Sequence, residues 1–334
     1  MTPHDATVAA ETTPTVPVPA GRPPGFLAPP GLAPVVDLLP AARTPSSAWF
    51  DAVSGATGGS GAIAAHGPCL AVAAGPAGQI LVGDPADDRG PRSLVGRHGA
   101  PVTALVSSGH LLFSAGCDGR VLGWAPATSG LSVVVACHAT GVTATAFAAD
   151  GRLLTAGHDG RVLAWVDATP ERAAEHPGGV EALAALPGGA LVTAGRDGRL
   201  LLHRPGAGEP PVELLQRRRE ITVALAGGSD GLLTAGGHRG VVRWWPELAD
   251  TGRPEEVGVH GGWVLALVAL AGDRLAAVGG ATVTVWDLRS GAASRVDLDP
   301  GLHATSAAVL PTGELAVAAP DGRVQLVPVP ALAG

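Results

Sequence analysis

The sequence has no lysine, no asparagine and no tyrosine, and isoleucine occurs only at Ile63, Ile80 and Ile221. Residues with AT-rich codons are thus nearly missing, which points to a GC-rich, bacterial source. All 22 basic residues are arginine, against 29 acidic ones, a formal charge of -7. A nucleic-acid binder working through bulk charge would show a basic surplus, so that class is set aside. Long apolar runs are also missing. The longest nearly unbroken stretch, Trp263–Ala271, is about half of a membrane-spanning helix, so the 46% hydrophobic content reflects Ala, Val and Leu and implies no membrane partner. The three cysteines, Cys69, Cys117 and Cys137, are too few and too odd in number for a disulfide framework and fit a reducing cytoplasm. The first residues, Met1 to Thr7, lack a basic region followed by an apolar core, so no signal peptide is expected.

Proline is concentrated at one end. Residues 1–47 hold 11 of the 30 prolines with no sustained period, which predicts a flexible, extended tail carrying one apolar patch, Pro34–Pro40. Residues 48–334 repeat themselves. Leu112–Trp124 (LFSAGCDGRVLGW), Leu153–Trp165 (LLTAGHDGRVLAW) and Leu191–His203 (LVTAGRDGRLLLH) are three clear copies. Weaker ones place equivalent alanines at Ala74, Ala115, Ala156, Ala194, Ala235, Ala277 and Ala318, spaced by 38 to 42 residues. Each unit has four short apolar runs between turn signals, with Asp-Gly marking the hairpin between the second and third. No run is long enough for a helix. Four strands per unit and seven units predict an all-β chain, a seven-bladed propeller of four-stranded antiparallel blades. The seventh unit ends after three runs. The preceding segment Ala48–Val53 is expected to supply the missing outer strand and latch the ring. His66 could be read as a repeat histidine, but that would shorten the first unit, and the even spacing is preferred.

The period, the Asp-Gly hairpin, the third-strand Trp and a His in the loop before the first strand resemble the WD-repeat family. The resemblance implies that a turn His, a second-strand Ser/Thr, the hairpin Asp and the Trp form one hydrogen-bonded set inside a blade. Two units carry all four: His98, Ser114, Asp118 and Trp124, then His138, Thr155, Asp159 and Trp165. A third has His176, Thr193 and Asp197, with His203 in the place of Trp. The match then thins: His260 and Trp286 lack the Asp, His303 and Asp321 lack the Trp, and the first unit has none. Such a set satisfies polar edges that a narrow blade would otherwise bury at about 1–3 kcal/mol each.

Three sharper readings lose to blander ones. Ser114, His98 and Asp118 have the composition of a hydrolase triad, but the same trio recurs in neighbouring units, which a unique active site would not do. Cys117, Cys137, His138 and His158 lack the paired spacing of a zinc site, and no metal or cofactor is expected. Gly55–Gly61 has no lysine and no strand–helix context, so it reads as a turn and not a phosphate loop.

The positions that the repeat does not fix are more informative. Family analogy places the Asp-Gly hairpins and the loops leading into each first strand on one face around the central channel. There we expect His158, Arg196, His238, the run Arg217, Arg218 and Arg219, and Trp263. Arginine forks suit carboxylate or phosphate groups, and an exposed Trp is a common anchor. The expected function is a non-catalytic cytoplasmic scaffold, monomeric, that recognises a protein or peptide with an acidic or phosphorylated segment. The alternatives are a propeller enzyme, a lyase or hydrolase using His158, His238 and Glu220, or a sensor of small anions on the same face.

Overall fold

The computed structural model describes residues 62–329, apart from residues 86, 88–90, 94–97, 109–110, 127–131, 167–168, 205–209, 217–221, 229–230, 237–238, 246–252, 272, 289 and 321–322. The Ala48–Val53 strand and the Gly55–Gly61 turn lie outside these residues. Seven antiparallel sheets follow one another along the chain, six of four strands and the last of three. Their second strands are Cys69–Ala74, Leu111–Gly116, Leu153–Gly157, Leu191–Gly195, Gly231–Gly236, Arg274–Gly279 and Leu315–Ala318, so each equivalent alanine falls on the same strand of its own blade. His66 ends the first strand of blade 1, in line with the even spacing. The regular elements of the described blades are strands, with a short 3-10 turn at Pro187–Gly189 between the first and second strands of blade 4. Among the described residues no helix is long and apolar enough to cross a membrane.

The first strands line the centre, each against the first strand of the next blade, and that of blade 7 (Ser306–Val309) meets that of blade 1 (Ile63–His66). The ring therefore closes between blades 7 and 1. The core is divided in the same way. Seven buried clusters each join two adjacent blades, including one in which Ile63, Leu70 and Val72 meet Leu310, Ala316 and Ala318. Among the described residues no apolar centre is shared by all blades, because each sheet buries its two faces against its two neighbours.

The Asp-Gly signal acts between blades as well as within them. In blade 2 the turn Gly116–Gly119 closes with the Gly119 N–H on the Gly116 carbonyl at 3.1 Å. Gly119 sits at φ 76, and a Cβ there would lie 2.6 Å from the carbonyl of His138. The left-handed backbone and the close approach both require glycine. The Gly119 carbonyl in turn accepts the His138 N–H at 2.7 Å, tying the hairpin of blade 2 to the loop leading into blade 3. Blades 3 and 5 repeat this tie, from His176 to Gly160 and from His260 to Gly240.

Candidate functional site

Local sequence builds a polar chain inside each of the well-matched blades. In blade 2 the Trp124 indole N–H donates to Ser114 Oγ at 2.8 Å, which lies 2.8 Å from His98 Nε2, and His98 Nδ1 lies 3.0 Å from Asp118 Oδ1. A carboxylate only accepts, so His98 carries its proton on Nδ1 and Ser114 donates to Nε2. His138, Thr155, Asp159 and Trp165 repeat the arrangement at 3.3, 2.7 and 2.9 Å. Asp118 also accepts from the N–H groups of Arg120 and Gly99. Burial pushes its carboxyl upward, but His98 and these N–H groups outweigh that and hold it below the usual range. Asp197 is held low in the same way by Arg199 and His176. In each set the hydroxyl, the imidazole and the carboxylate are tied to one another inside one blade.

Elsewhere the pattern changes. His260 lies 2.8 Å from Thr284, on the third strand instead of the second. In blade 5 only half the set survives, Trp245 donating to Thr234 at 3.2 Å. His303, which the sequence groups with Asp321, is exposed, and its neighbour Leu302 takes the buried place. An apolar side chain fills that site without needing a partner, so the resemblance of His303 to a set member is corrected.

Blade 4 substitutes the donor itself. His176 Nε2 lies 3.1 Å from Asp197 Oδ1 and its Nδ1 lies 2.8 Å from Thr193 Oγ1, so Thr193 donates to His176. Thr193 must then accept from His203 Nε2 at 2.9 Å. His203 thus stands in for the indole and needs its proton on Nε2. Burial first, and then the nearby His176, push its pKa down to about 4. Burial also lowers His138 and His260. An unfolded His takes up its proton near 6.5, so folding stability is fully present above pH 6.5 and is lost as the pH falls toward 4. For His203 this is roughly 3 kcal/mol for a shielded ring and about 2 for one partly open to water. Denaturant midpoints at pH 7 and 4.5 should show the loss, and His203→Trp should shrink it. An unchanged pH profile in that variant would assign the acid sensitivity to other groups.

The channel rim is built from the start of the first strands. In blades 2 to 5 the pairing of first and second strands slips by one residue at the same place, after Val102, Val142, Val180 and Thr222. The extra residue of a bulge re-aims its side chain. In blades 2 and 3 that residue is Thr103 or Thr143. The Thr103 hydroxyl lies 2.7 Å from the Val142 carbonyl of the next blade and 3.0 Å from the Ala115 carbonyl of its own. Thr143 repeats this with Val180 at 2.7 Å and Ala156 at 3.1 Å. These threonines tie neighbouring blades at the rim.

Other blades lack this threonine. Blade 4 has Glu181 in the threonine's place, and its carboxylate accepts from the Arg196 guanidinium, which also approaches His158 Nε2 at 3.4 Å. His158 Nδ1 lies 3.9 Å from the same carboxylate. The structure therefore brings His158 and Arg196 together, from adjacent blades, on an acidic residue that sequence reading had not singled out. In blade 6 the pairing runs without a slip, and two exposed apolar side chains precede the strand, Trp263 at 43% and Leu265 at 39%. The signal for both was present: the units read Val-Thr-Ala at 102–104 and 142–144 but Val-Glu-Ala at 180–182 and Val-Leu-Ala at 264–266. Arg217, Arg218, Arg219, Glu220 and His238 lie outside the described residues. Among those described, no group of three or more His, Cys, Asp or Glu is placed to hold a metal ion, and Cys117 is exposed and free.

Residues 131–165 match the family described as "WD domain, G-beta repeat". That span contains the complete His138–Thr155–Asp159–Trp165 set. No curated protein matches the chain. Among solved structures, the WD40 β-propeller domain of Doa1 superposes with a TM-score of 0.70 at 16% identity, over 82% of this chain and 94% of that one. The computationally designed Ika8 protein superposes with a TM-score of 0.60 at 20% identity, over 81% and 98%. The chain is a seven-bladed β-propeller, and one of its units, residues 131–165, matches a WD repeat.

Proposed function

We propose that this propeller is a non-catalytic recognition scaffold that binds a protein or peptide at the channel rim, with Trp263 as its anchor. The observation that carries this reading is the adjoining pair of exposed apolar side chains, Trp263 and Leu265, at the start of blade 6. The first of these places holds Pro101, Gly141 or Gly179 in blades 2 to 4, and the second holds Thr103 or Thr143 in blades 2 and 3. Both side chains present apolar surface to solvent, and covering that surface is what a partner would contribute. The sequence adds Arg217–Arg219, between the last strand of blade 4 and the first of blade 5. Arginine forks there favour a partner with an acidic or phosphorylated segment. Cys69 and Cys117 are free, which supports a reducing cytoplasm as its setting, and the proline content of residues 1–47 supports a separate tail.

The test begins by capturing partners from the native host with the wild-type protein. For a captured partner, Trp263→Ala should weaken binding by about 2 kcal/mol, or roughly thirtyfold. Replacing Arg217–Arg219 by glutamate should slow association and flatten its salt dependence. If both variants stay folded and retain the wild-type partner set and affinities, this rim is not the interface.

A further inference from the structure

At the end of the blades opposite the Asp-Gly hairpins, an open cleft of about 510 Å³ lies between blades 3 and 4. Its origin can be read from the packing of the third strands. The residue that ends a third strand packs against the preceding blade: Trp124 joins the cluster of blades 1 and 2, and Trp245 that of blades 4 and 5. Facing them are the penultimate third-strand residues of the earlier blade, Val82 and Leu202. Counted from the repeat alanines, the corresponding residues between blades 3 and 4 are His203 and Ala164, and both line the cleft. The cluster there contains no aromatic residue. An indole is missing from one side and a branched aliphatic side chain from the other.

We propose that this cleft is a second binding site, one that receives the indole of a tryptophan presented by a partner peptide. Three features select that occupant. The floor, with Leu154, Leu191 and Ala164, is apolar, and the volume lies within the range of about 300–1,000 Å³ typical of ligand pockets. His203 spends its Nε2–H on Thr193, which leaves Nδ1 as an acceptor on a ring that lines the cleft. An indole N–H is the donor that such a nitrogen takes. Arg152, Arg172 and Arg204 stand around the opening. Asp150 fixes Arg152 at 2.7 Å. Guanidinium planes stack on aromatic faces, and on indole best of all. A bare aliphatic side chain would use the floor but neither the acceptor nor the guanidinium groups. The rim residues of the proposed recognition face take no part in this site.

The probe is N-acetyl-tryptophanamide, with N-acetyl-leucinamide as control, added to the full chain and followed by saturation-transfer NMR and thermal unfolding. The tryptophan probe should bind at millimolar concentration and raise the melting temperature, and the leucine probe should not. Ala164→Leu installs the residue that Leu202 supplies one blade later, and it should weaken the probe about tenfold or more while the protein stays folded. His203→Trp, which fills the cleft from the other side, should do the same, and Trp263→Ala should leave probe binding unchanged. Equal binding by both probes, or undiminished binding in a folded Ala164→Leu protein, would overturn the assignment. So would binding that appears only after residues 1–47 are removed, since the occupant would then be the chain's own N-terminal segment.

Discussion

Trp124→Ala is expected to lower the unfolding free energy by about 3–5 kcal/mol, the largest loss from any single side chain described above. Trp124 is fully buried in the cluster shared by blades 1 and 2. Its removal opens a cavity at a joint of the ring and also takes the donor away from Ser114. Trp124→Phe keeps most of the volume and loses only that hydrogen bond, so it should cost about 1 kcal/mol plus a small packing defect. The same alanine change at Trp165, which is only half-buried, should cost less than at Trp124. Urea unfolding followed by circular dichroism gives all three values. Equal losses for Trp124→Ala and Trp124→Phe would mean that the indole acts through its hydrogen bond and not through the core.

Deleting residues 1–54 is expected to aggregate the protein, whereas deleting 1–46 leaves it folded. Blade 7 has three described strands, and Val324–Val327 ends its sheet among the described residues. An uncovered edge strand is a template for pairing with another chain. The segment 48–53 is our candidate for its partner, and only the longer deletion removes it. Size-exclusion chromatography and thermal unfolding of the two truncations decide the matter. Two monomers that melt together would show that the edge is covered by something else, or by nothing.

What the sequence makes legible here is whatever the repeat states within one unit. Asp118 and Gly119 are adjacent, and Ser114 and Trp124 are ten residues apart, so hairpin, strands and hydrogen-bonded set all lie in one stretch of chain. Features that arise between units are harder to read. Arg196 reads as a free positive charge, yet Glu181, from the first strand of its own blade, binds it, and His158 of the preceding blade leans on the same pair. That meeting depends on the slip in strand register at the rim, which no local spacing announces. The side cleft depends on two sizes, at Ala164 and His203, that become neighbours only when blade 4 is stacked on blade 3. The substitution of His for Trp at 203 is visible in the sequence, but the space it leaves is not.

The cluster that joins blade 7 to blade 1 has a consequence for how the chain folds. Every other joint in the ring connects segments about 40 residues apart, so six of the seven can form by short-range search. Bringing Leu70 and Ala316 together closes a loop of roughly 250 residues, which adds about 2 kcal/mol of closure entropy over a neighbouring joint. The slow step in refolding therefore belongs to that one meeting, with the blades assembling in sequence before it. The position of this seam comes from where the chain starts and ends, because a ring of like blades has no first member. A circular permutant cut between blades 3 and 4, with its old ends joined, would carry its slow step to the cut.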